Sequence, residues 1–226
     1  MDFCLPGMDM TFGTMMGMLG SGIVFTAMIF AITLLGALPL GVLVCACRTS
    51  KFKPLQLLAR FYISLMRGTP LMLQLFVWMF GPYYLLGLSL GTGWKMIACC
   101  IGFITNYAAY FAEIYRSGLQ SIPKGQYEAA SVLGYSKMQT FFKIVLPQVV
   151  KRIVPAMGNE IITLVKDTSL AFCLSIAEMF SQAKAIAAGQ VSMWPFVMAA
   201  LIYWVINFVI EILLTKLEKR LAYYHD

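Results

Sequence analysis

Charged and amide side chains stand in two stretches of the sequence that are otherwise apolar. Asn106 and Glu113 lie in the first stretch, and Glu160, Lys166 and Asp167 lie in the second. Glu160 and Asp167 are seven residues apart, so a helix places their carboxylates on one face. Carboxylates accept hydrogen bonds from an ammonium group, whereas lysine and asparagine donate them to a carboxylate group. Such a set therefore has the chemistry to bind a small zwitterion.

A structural role for the same charges stays open. Lys166 adjoins Asp167, and Glu113 is followed by Arg116, so both pairs are potential ion pairs that fix a subunit seam or a gate. A charge at membrane depth costs free energy, so either role requires a specific partner. When no solute is bound, Glu160 is expected to have either water or a cationic partner, and Lys166, on the neighbouring face, is a candidate for that partner.

A polar, basic island separates the two apolar stretches. It covers residues 128–147 and has the sequence EAASVLGYSKMQTFFKIVLP. Glu128, Ala129 and Ala130 are good helix formers. Their small surfaces allow a short helix to sit close in a groove, which suits docking on another protein.

The rest of the island predicts a turn and a second short helix. Gly134 can adopt the positive φ that ends the first helix and reverses the chain. Residues 138–145 then form the second helix, and Pro147 either stops it or begins the next element. The predicted shape is a helix–turn–helix with an exposed knuckle. A solvated loop on the membrane surface, without a partner, is the alternative.

Catalytic and metal chemistry are not indicated. The only histidine is His225, at the C-terminal end, which excludes Ser/His and Cys/His catalysis. The six cysteines, of which Cys4 is the first, lack metal-ligand spacing and are expected to be small core hydrophobes. The G-x-x-x-x-G-K-[ST] pattern that cradles nucleotide phosphates is absent from the sequence. We therefore predict that the chain is not an enzyme and holds no metal or cofactor.

Composition determines which elements position these residues. The 226 residues are 60% hydrophobic and 12% charged, with a mean hydropathy of +0.79, a balance that excludes an ordinary soluble domain. Apolar runs of near twenty residues recur, long enough to cross a hydrocarbon layer of about 30 Å. We predict an all-α polytopic membrane protein with one domain over residues 1–226 and a loop at about 117–150. The five predicted spans are at about 23–47, 70–90, 96–115, 153–173 and 196–214.

Two segments outside the predicted spans also have helical character. Residues 51–66 place apolar side chains on one helical side after Pro54, which predicts an amphipathic helix at the cytoplasmic surface. One long, tilted helix is the alternative. Arg67 and Pro70 are expected to shape the start of the second span. Residues 175–194 predict a short helix near the outer surface.

The distribution of lysine and arginine predicts the orientation in the membrane. No basic residue precedes the first span, whereas the segments after the first, third and fifth spans are rich in them. The N-terminus is therefore expected outside, and the loop at 117–150 and the C-terminus inside. The net charge of +7 follows from the same pattern and requires no nucleic-acid partner.

Several motifs together resemble those of one protein family. The spacing of Glu-Ala-Ala, Gly, Ile and Leu-Pro in residues 128–147 resembles the EAA loop of ABC importer permeases. The permeases for polar amino acids such as histidine, glutamine, arginine and glutamate are also similar in four other segments. These are residues 66–71 (MRGTPL), 109–116 (AYFAEIYR), 122–126 (IPKGQ) and 166–170 (KDTSL). The resemblance covers roughly residues 15–220.

The resemblance implies a function and a set of partners. It implies a subunit of a bacterial plasma-membrane importer for a polar amino acid, which pairs with a second copy or a paralogue and works by alternating access. ATPase subunits inside would bind ATP and Mg, and a solute-binding protein would deliver the amino acid outside. Coupling through the loop at 124–147 would use Glu128, Ala129, Ala130, Gly134 and Pro147. The pathway would use Asn106, Glu113, Glu160, Lys166 and Asp167.

Two other functions stay open at this point. The chain fits an ABC permease for another small solute, and it also fits a membrane protein of assembly that retains the loop without transporting. Co-purification of an ATPase separates both transporters from the assembly protein, and an uptake profile separates the transporters from each other.

Overall fold

The computed structural model describes residues 10–91 and 93–221, and every regular element within them is helical. The cysteine at position 4 and the histidine at position 225, discussed above, lie outside the described residues. The helices are α1 (Phe12–Thr49), α2 (Lys53–Gly68), α3 (Leu71–Leu86), α4 (Trp94–Gln120), α5 (Lys124–Val132), α6 (Lys137–Gln139), α7 (Leu146–Asp167), α8 (Met179–Gln190) and α9 (Trp194–Leu221). A π-helical segment, Thr140–Val145, joins α6 to α7, and a 3₁₀ segment, Thr168–Leu174, follows α7.

Three of the described helices are long and apolar enough to cross a membrane. They are α1, α4 and α9, and the bent pair α2 and α3 passes the same criteria together. The fold class, an all-helical membrane protein, is therefore confirmed. Helix α7 fails those criteria because charged residues interrupt it: Lys151, Arg152, Glu160, Lys166 and Asp167. The count of five spans thus stays a prediction, in which α7 would be the fourth.

The helices are longer than most of the predicted spans. Helix α1 begins eleven residues before the predicted position 23, and α4 and α9 extend past both predicted ends. Helix α3 is shorter, because Gly87 ends it in the left-handed conformation with φ of 66°. The fourth predicted span is α7, which begins seven residues early and then tightens into the 3₁₀ segment Thr168–Leu174.

Helix α4 lies at the centre of the packing. Helices α1, α2, α3 and α7 all contact it. Ala108, Ala109 and Ala112 are buried along α4, and such small side chains allow neighbouring helices to approach closely. Phe103 and Phe111, both 0% exposed, fill the larger gaps between these neighbours. This helix therefore fixes the relative position of the elements that carry the candidate site.

A sharp break separates α2 from α3. The two helix axes differ by 110°, and Thr69 and Pro70 form the break with extended backbone. Residues 51–90 therefore do not form a single long helix. The end of α2 reaches the middle of α4, where the Tyr62 hydroxyl donates a hydrogen bond to the Thr105 carbonyl. The predicted helix thus exists, and its C-terminal half contacts the middle of α4, while its place at the cytoplasmic surface stays a prediction.

Candidate coupling loop and translocation pathway

The polar loop folds as a helix, a turn and a second helix. Helix α5 contains Glu128 and ends at a turn in which Gly134 has a φ of 78°. The Tyr135 N–H donates to the Ala130 carbonyl at 3.0 Å, and this bond closes the turn. Ser136 then begins α6 with a capping box, in which its side chain and that of Gln139 exchange hydrogen bonds with backbone N–H groups.

Pro147 does not stop the second helix of the loop. The π segment Thr140–Val145 continues into α7, and Pro147 lies in the first turn of that helix. Because helical backbone precedes this position without a break, the missing N–H of proline leaves a carbonyl of the preceding turn without its intrahelical donor. Of the two roles predicted for Pro147, beginning the next element agrees with this position.

The tip of the loop exposes apolar side chains. Val132 is 88% exposed and Leu133 is 74% exposed, whereas Ala130 is 1% exposed and packs inward. Glu128 is exposed and, within the described part of the chain, makes no hydrogen bond or ion pair. Exposed apolar groups beside an unpaired carboxylate are typical of a surface that binds another protein. The spacing of the Glu-Ala-Ala motif pointed to this loop but not to Val132 and Leu133.

The base of the loop joins α4 to α7. Ile122, Val145 and Val149 form a buried cluster there. The Arg152 guanidinium donates a hydrogen bond to the Ser121 carbonyl, just after α4 ends. The base of the loop is therefore attached to both α4 and α7.

Helix α7 exposes a polar face. Asn159, Thr163 and Lys166 share this face and are exposed, while Glu160 and Asp167 beside them are partly buried. Polar and charged groups in the middle of a membrane helix face a bundle interior or a water-filled cavity, because exposure to lipid is too costly. In the predicted fourth span, this face would line an aqueous space or a seam with another subunit.

Each of the two carboxylates on α7 has its own surroundings. The Tyr107 hydroxyl donates to Asp167 Oδ2 at 2.7 Å, and the charge of Lys166 also acts on Asp167. Glu160 interacts electrostatically with Arg67, whose guanidinium lies 5.2 Å from the centre of the Tyr110 ring. Arg67 is thus a cation that acts on Glu160, whereas the candidate partner Lys166 forms no ion pair with it among the described residues.

Asn106 is bound to the break between α2 and α3. Its Nδ2 donates to the Met66 carbonyl at 3.0 Å and to Gln74 Oε1 at 3.0 Å. Gln74 in turn donates to the Met66 carbonyl at 2.9 Å and to Thr69 Oγ1 at 2.8 Å. The break leaves backbone carbonyls without helical partners, and these two amides satisfy them. Both hydrogens of the Asn106 amide therefore have protein acceptors.

Glu113 forms an ion-pair cluster near the end of α4. The Arg116 guanidinium binds both carboxylate oxygens, with Nη2 at 2.6 Å from Oε2. Arg48, from the end of α1, places Nε 3.8 Å from Oε1. The structural alternative for Glu113 and Arg116, an ion pair, therefore forms, and it ties α1 to α4.

The comparisons with known proteins concern nearly the whole chain. A family model described as the binding-protein-dependent transport system inner membrane component matches residues 37–223. The chain belongs to this family. One relative, a probable amino-acid ABC transporter permease protein, YckA of Bacillus subtilis (strain 168), is 38% identical over 90% of this chain and 88% of its own. The arginine transport system permease protein ArtQ of the same organism is 36% identical over 88% of this chain and 90% of its own.

A solved structure has the same fold. The chain superposes on a subunit of an amino acid ABC transporter, crystallised with histidines, with a TM-score of 0.83 and 29% identity. The match covers 94% of this chain and all of the other. The prediction that the chain is an ABC transporter permease is therefore confirmed. As a permease of this family it is a multi-pass inner-membrane transport subunit and not an enzyme.

The structure of the permease brings together some of the predicted pathway residues. Glu160, Lys166 and Asp167 lie along one side of α7. Asn106 and Glu113 lie on α4, where Asn106 is held by α2 and α3, and Glu113 by Arg116 and by α1. Which of them contact a solute stays a prediction.

Sequence reasoning missed two residues of the permease site, Arg67 and Tyr107. Arg67 stands in the MRGTPL segment, but only the break after α2 turns it towards α7. Tyr107 has no distinguishing sequence signal, apart from the need of a buried Asp167 for a donor.

Proposed function

We propose that the chain forms the translocation pathway of an ATP-driven importer for a polar amino acid. The observation that carries the proposal is the polar face of α7, formed by Asn159, Thr163 and Lys166 with Glu160 and Asp167 at its edge. The printed names of the relatives and of the solved structure point to amino acids as the solutes of this group. A permease for another small solute, and a membrane protein of assembly, are the competing functions.

The charges beside the polar face suit a zwitterion. Glu160 and Asp167 accept hydrogen bonds from an ammonium group, and Arg67 and Lys166 donate to a carboxylate. Arg67 is pre-oriented by the Tyr110 ring, which supports a planar guanidinium through a cation–π contact. In the absence of solute the acids and bases neutralise one another. Asn106 and Glu113 would then act at the ends of the pathway, by fixing the α2–α3 break and the α1–α4 contact.

The loop at 124–147 supplies the coupling to a separate ATPase in this proposal. Glu128, Ala129, Ala130, Gly134 and Pro147 shape it, and Val132 and Leu133 add the apolar contact area. ATP and Mg would be bound by the ATPase subunits, because this chain has no phosphate-binding loop. A second copy or a paralogue would cover the polar face of α7 and complete the pathway, and a solute-binding protein would deliver the amino acid.

Co-purification and uptake test the proposal directly. We expect the chain, isolated in mild detergent, to retain an ATP-binding subunit that carries a P-loop. Together with that subunit and a solute-binding protein, it should accumulate a polar amino acid in vesicles only when ATP is supplied. Uptake by this chain alone without ATP would contradict the proposal. Retention of the ATPase without uptake of any solute would favour the assembly function, and uptake of a solute other than an amino acid would favour the other permease.

Orientation in the membrane gives a separate prediction. In a chain whose own cysteines are replaced, Lys137→Cys and Lys219→Cys should react with a membrane-impermeant maleimide only from the cytoplasmic side. Lys184→Cys should react only from outside. The three lysines are exposed, so burial does not limit the reaction. Reaction of Lys137→Cys from outside would place the loop on the wrong side for an ATPase and would rule out the coupling role.

A further inference from the structure

A fully buried carboxylate lies outside the proposed pathway. Glu178 is 0% exposed and stands immediately before α8, as its N-cap. Its Oε2 accepts from the Phe180 N–H at 2.6 Å, and its Oε1 accepts from the Ser181 N–H at 2.6 Å. The Tyr203 hydroxyl, on α9, donates to Oε2 at 3.3 Å. Glu178 is the only acidic residue between Asp167 and Glu211, and the pathway does not use it.

The hydrogen bonds of Glu178 do more than cap α8. A cap needs only the two backbone N–H groups, and a solvated aspartate or serine serves as well. Burial of a carboxylate costs free energy unless several donors compensate it. The contact with Tyr203 links the start of α8 to α9, so the buried carboxylate joins two consecutive helices through residues 25 positions apart.

The same point is connected to α1. The Met179 N–H donates to Thr26 Oγ1 at 3.4 Å. A Cβ built on Gly22 would lie 2.6 Å from the Met179 Cα, so the backbones of α1 and α8 are in direct contact. This approach requires glycine at position 22. The start of α8 is therefore seated on α1 and tied to α9.

The segment between α7 and α8 ends where α8 begins, at the contact with α1 and α9. The Tyr203 hydroxyl also lies beside the hydroxyl of Thr168, the residue that follows Asp167. Lys95, at the start of α4, donates to the Ser175 carbonyl at 3.2 Å, in the turn before Glu178. One hydroxyl group on α9 thus donates to one end of the segment that leads from the pathway to α8, at Glu178, and lies near the other end, at Thr168.

We propose that Glu178 is a positioning residue for transport, which acts through Tyr203. The pair locks the segment from Thr168 to Glu178 against α1 and α9, so that Asp167 and α8 move together with those helices. This inference rests on the proposed function, since it assigns the lock to the pathway of the importer. It gives Glu178 a role in the coupling of solute movement to ATP hydrolysis, without contact with the solute.

Two conservative variants test the contact from either side. Glu178→Asp retains an N-cap carboxylate but is one methylene shorter, so it loses the reach to Tyr203. Tyr203→Phe removes the same hydrogen bond and keeps the ring. Each variant should lower uptake per ATP hydrolysed by about tenfold, the scale of one hydrogen bond to a buried charge. The double variant should be no worse than Tyr203→Phe alone, because that variant already removes every contact of the hydroxyl, including the one to Glu178.

Two control variants make the same substitutions at positions away from the contact, and uptake per ATP hydrolysed is measured for them as well. Glu218→Asp makes the same change as Glu178→Asp, but near the end of α9. Tyr84→Phe makes the same change as Tyr203→Phe, but at a tyrosine that is 78% exposed. Both controls should leave the uptake per ATP hydrolysed unchanged. Wild-type ratios in Glu178→Asp and Tyr203→Phe, or a double variant whose loss is the product of the two, would overturn the proposal. So would failure of Tyr203→Phe to assemble with the ATPase, which would assign the contact to stability alone.

A labelling experiment separates this inference from the proposed function. Ala183 on α8 is 0% exposed, so Ala183→Cys should react slowly with an impermeant maleimide in the assembled complex. Adding Glu178→Asp should speed the reaction by about fivefold or more, because weakening a local contact by about 1 kcal/mol raises the open population by that factor. Adding Glu218→Asp should not. This experiment requires no transport, so an unchanged rate overturns the lock alone, whereas absence of ATP-dependent uptake by the wild-type complex overturns only the function.

Discussion

Replacement of Gly134 by valine is expected to uncouple the permease from its ATPase. The φ of 78° at this position is a left-handed conformation, which costs an L residue about 1–2 kcal/mol and a β-branched residue more. The turn would open, and α5 would then present Glu128, Val132 and Leu133 in another direction. We expect uptake and solute-stimulated ATP hydrolysis to fall by about tenfold or more, with insertion of the permease retained. Uptake assays and ATPase assays on the same complexes measure both.

The loop provides a matched control for this change. Gly125 lies in α5 and, like Gly134, has open space where a Cβ would be, but its φ is not positive. Gly125→Val therefore adds the same side chain without the same backbone strain. Equal losses in the two variants would mean that added bulk, and not the turn, disturbs docking. Normal coupling in Gly134→Val would show that the loop does not dock through this turn.

Glu160→Gln is expected to change which amino acids the importer prefers. The substitution keeps the shape of the side chain and removes the charge that would face the cationic group of the solute. A hydrogen bond to a charged group contributes about 1.5–3 kcal/mol, so kcat/KM for a cationic amino acid should fall roughly 10- to 150-fold. For a neutral amino acid the loss should be smaller, because its single ammonium group is balanced by its own carboxylate and the solute has no net charge. Competition between labelled amino acids in vesicles measures the order of preference.

The effect of Glu160→Gln on Arg67 gives a second readout, the uptake of an anionic amino acid. The charge of Arg67 acts on Glu160, so Glu160→Gln leaves the positive charge of Arg67 uncompensated and should improve the relative uptake of an anionic amino acid. Glu218→Gln, which removes a carboxylate near the end of α9, should change neither rate nor preference. If Glu160→Gln leaves the uptake rate and the order of preference as they are in the wild type, Glu160 is structural and the solute binds elsewhere.

The local features of the fold were predictable because short-range patterns determine them. Gly134 was assigned a positive φ from the helix formers before it, and the structure has this conformation. The short helix between residues 175 and 194 was predicted from its intermediate polarity, and α8 forms there. The family resemblance rested on spacing within single segments, which is also local information.

Contacts between distant segments were not predictable from these patterns. Asn106 was assigned to the pathway because it stands near the middle of a span, but its amide is needed at the break after α2, 40 positions away in sequence. Periodicity on one helix does not show which neighbouring backbone lacks partners. Glu178 was overlooked for the same reason, since its burial depends on α1 and α9 together. A buried polar residue in the sequence of a membrane protein thus indicates that a hydrogen-bond partner exists, but it does not show which residue that partner is.

The π-helical segment Thr140–Val145 has a mechanical consequence for the way the loop drives the pathway. A π turn contains one residue more than an α turn, and one residue of α-helix corresponds to a rotation of about 100° and a rise of about 1.5 Å. Conversion of this segment to a regular α-helix would therefore swivel α5 and α6 about the axis of α7, with little change in length. In the proposed coupling, such a conversion would carry a displacement of the loop to α7 mainly as a rotation, which would reorient the charged groups of the polar face with little movement along the helix axis.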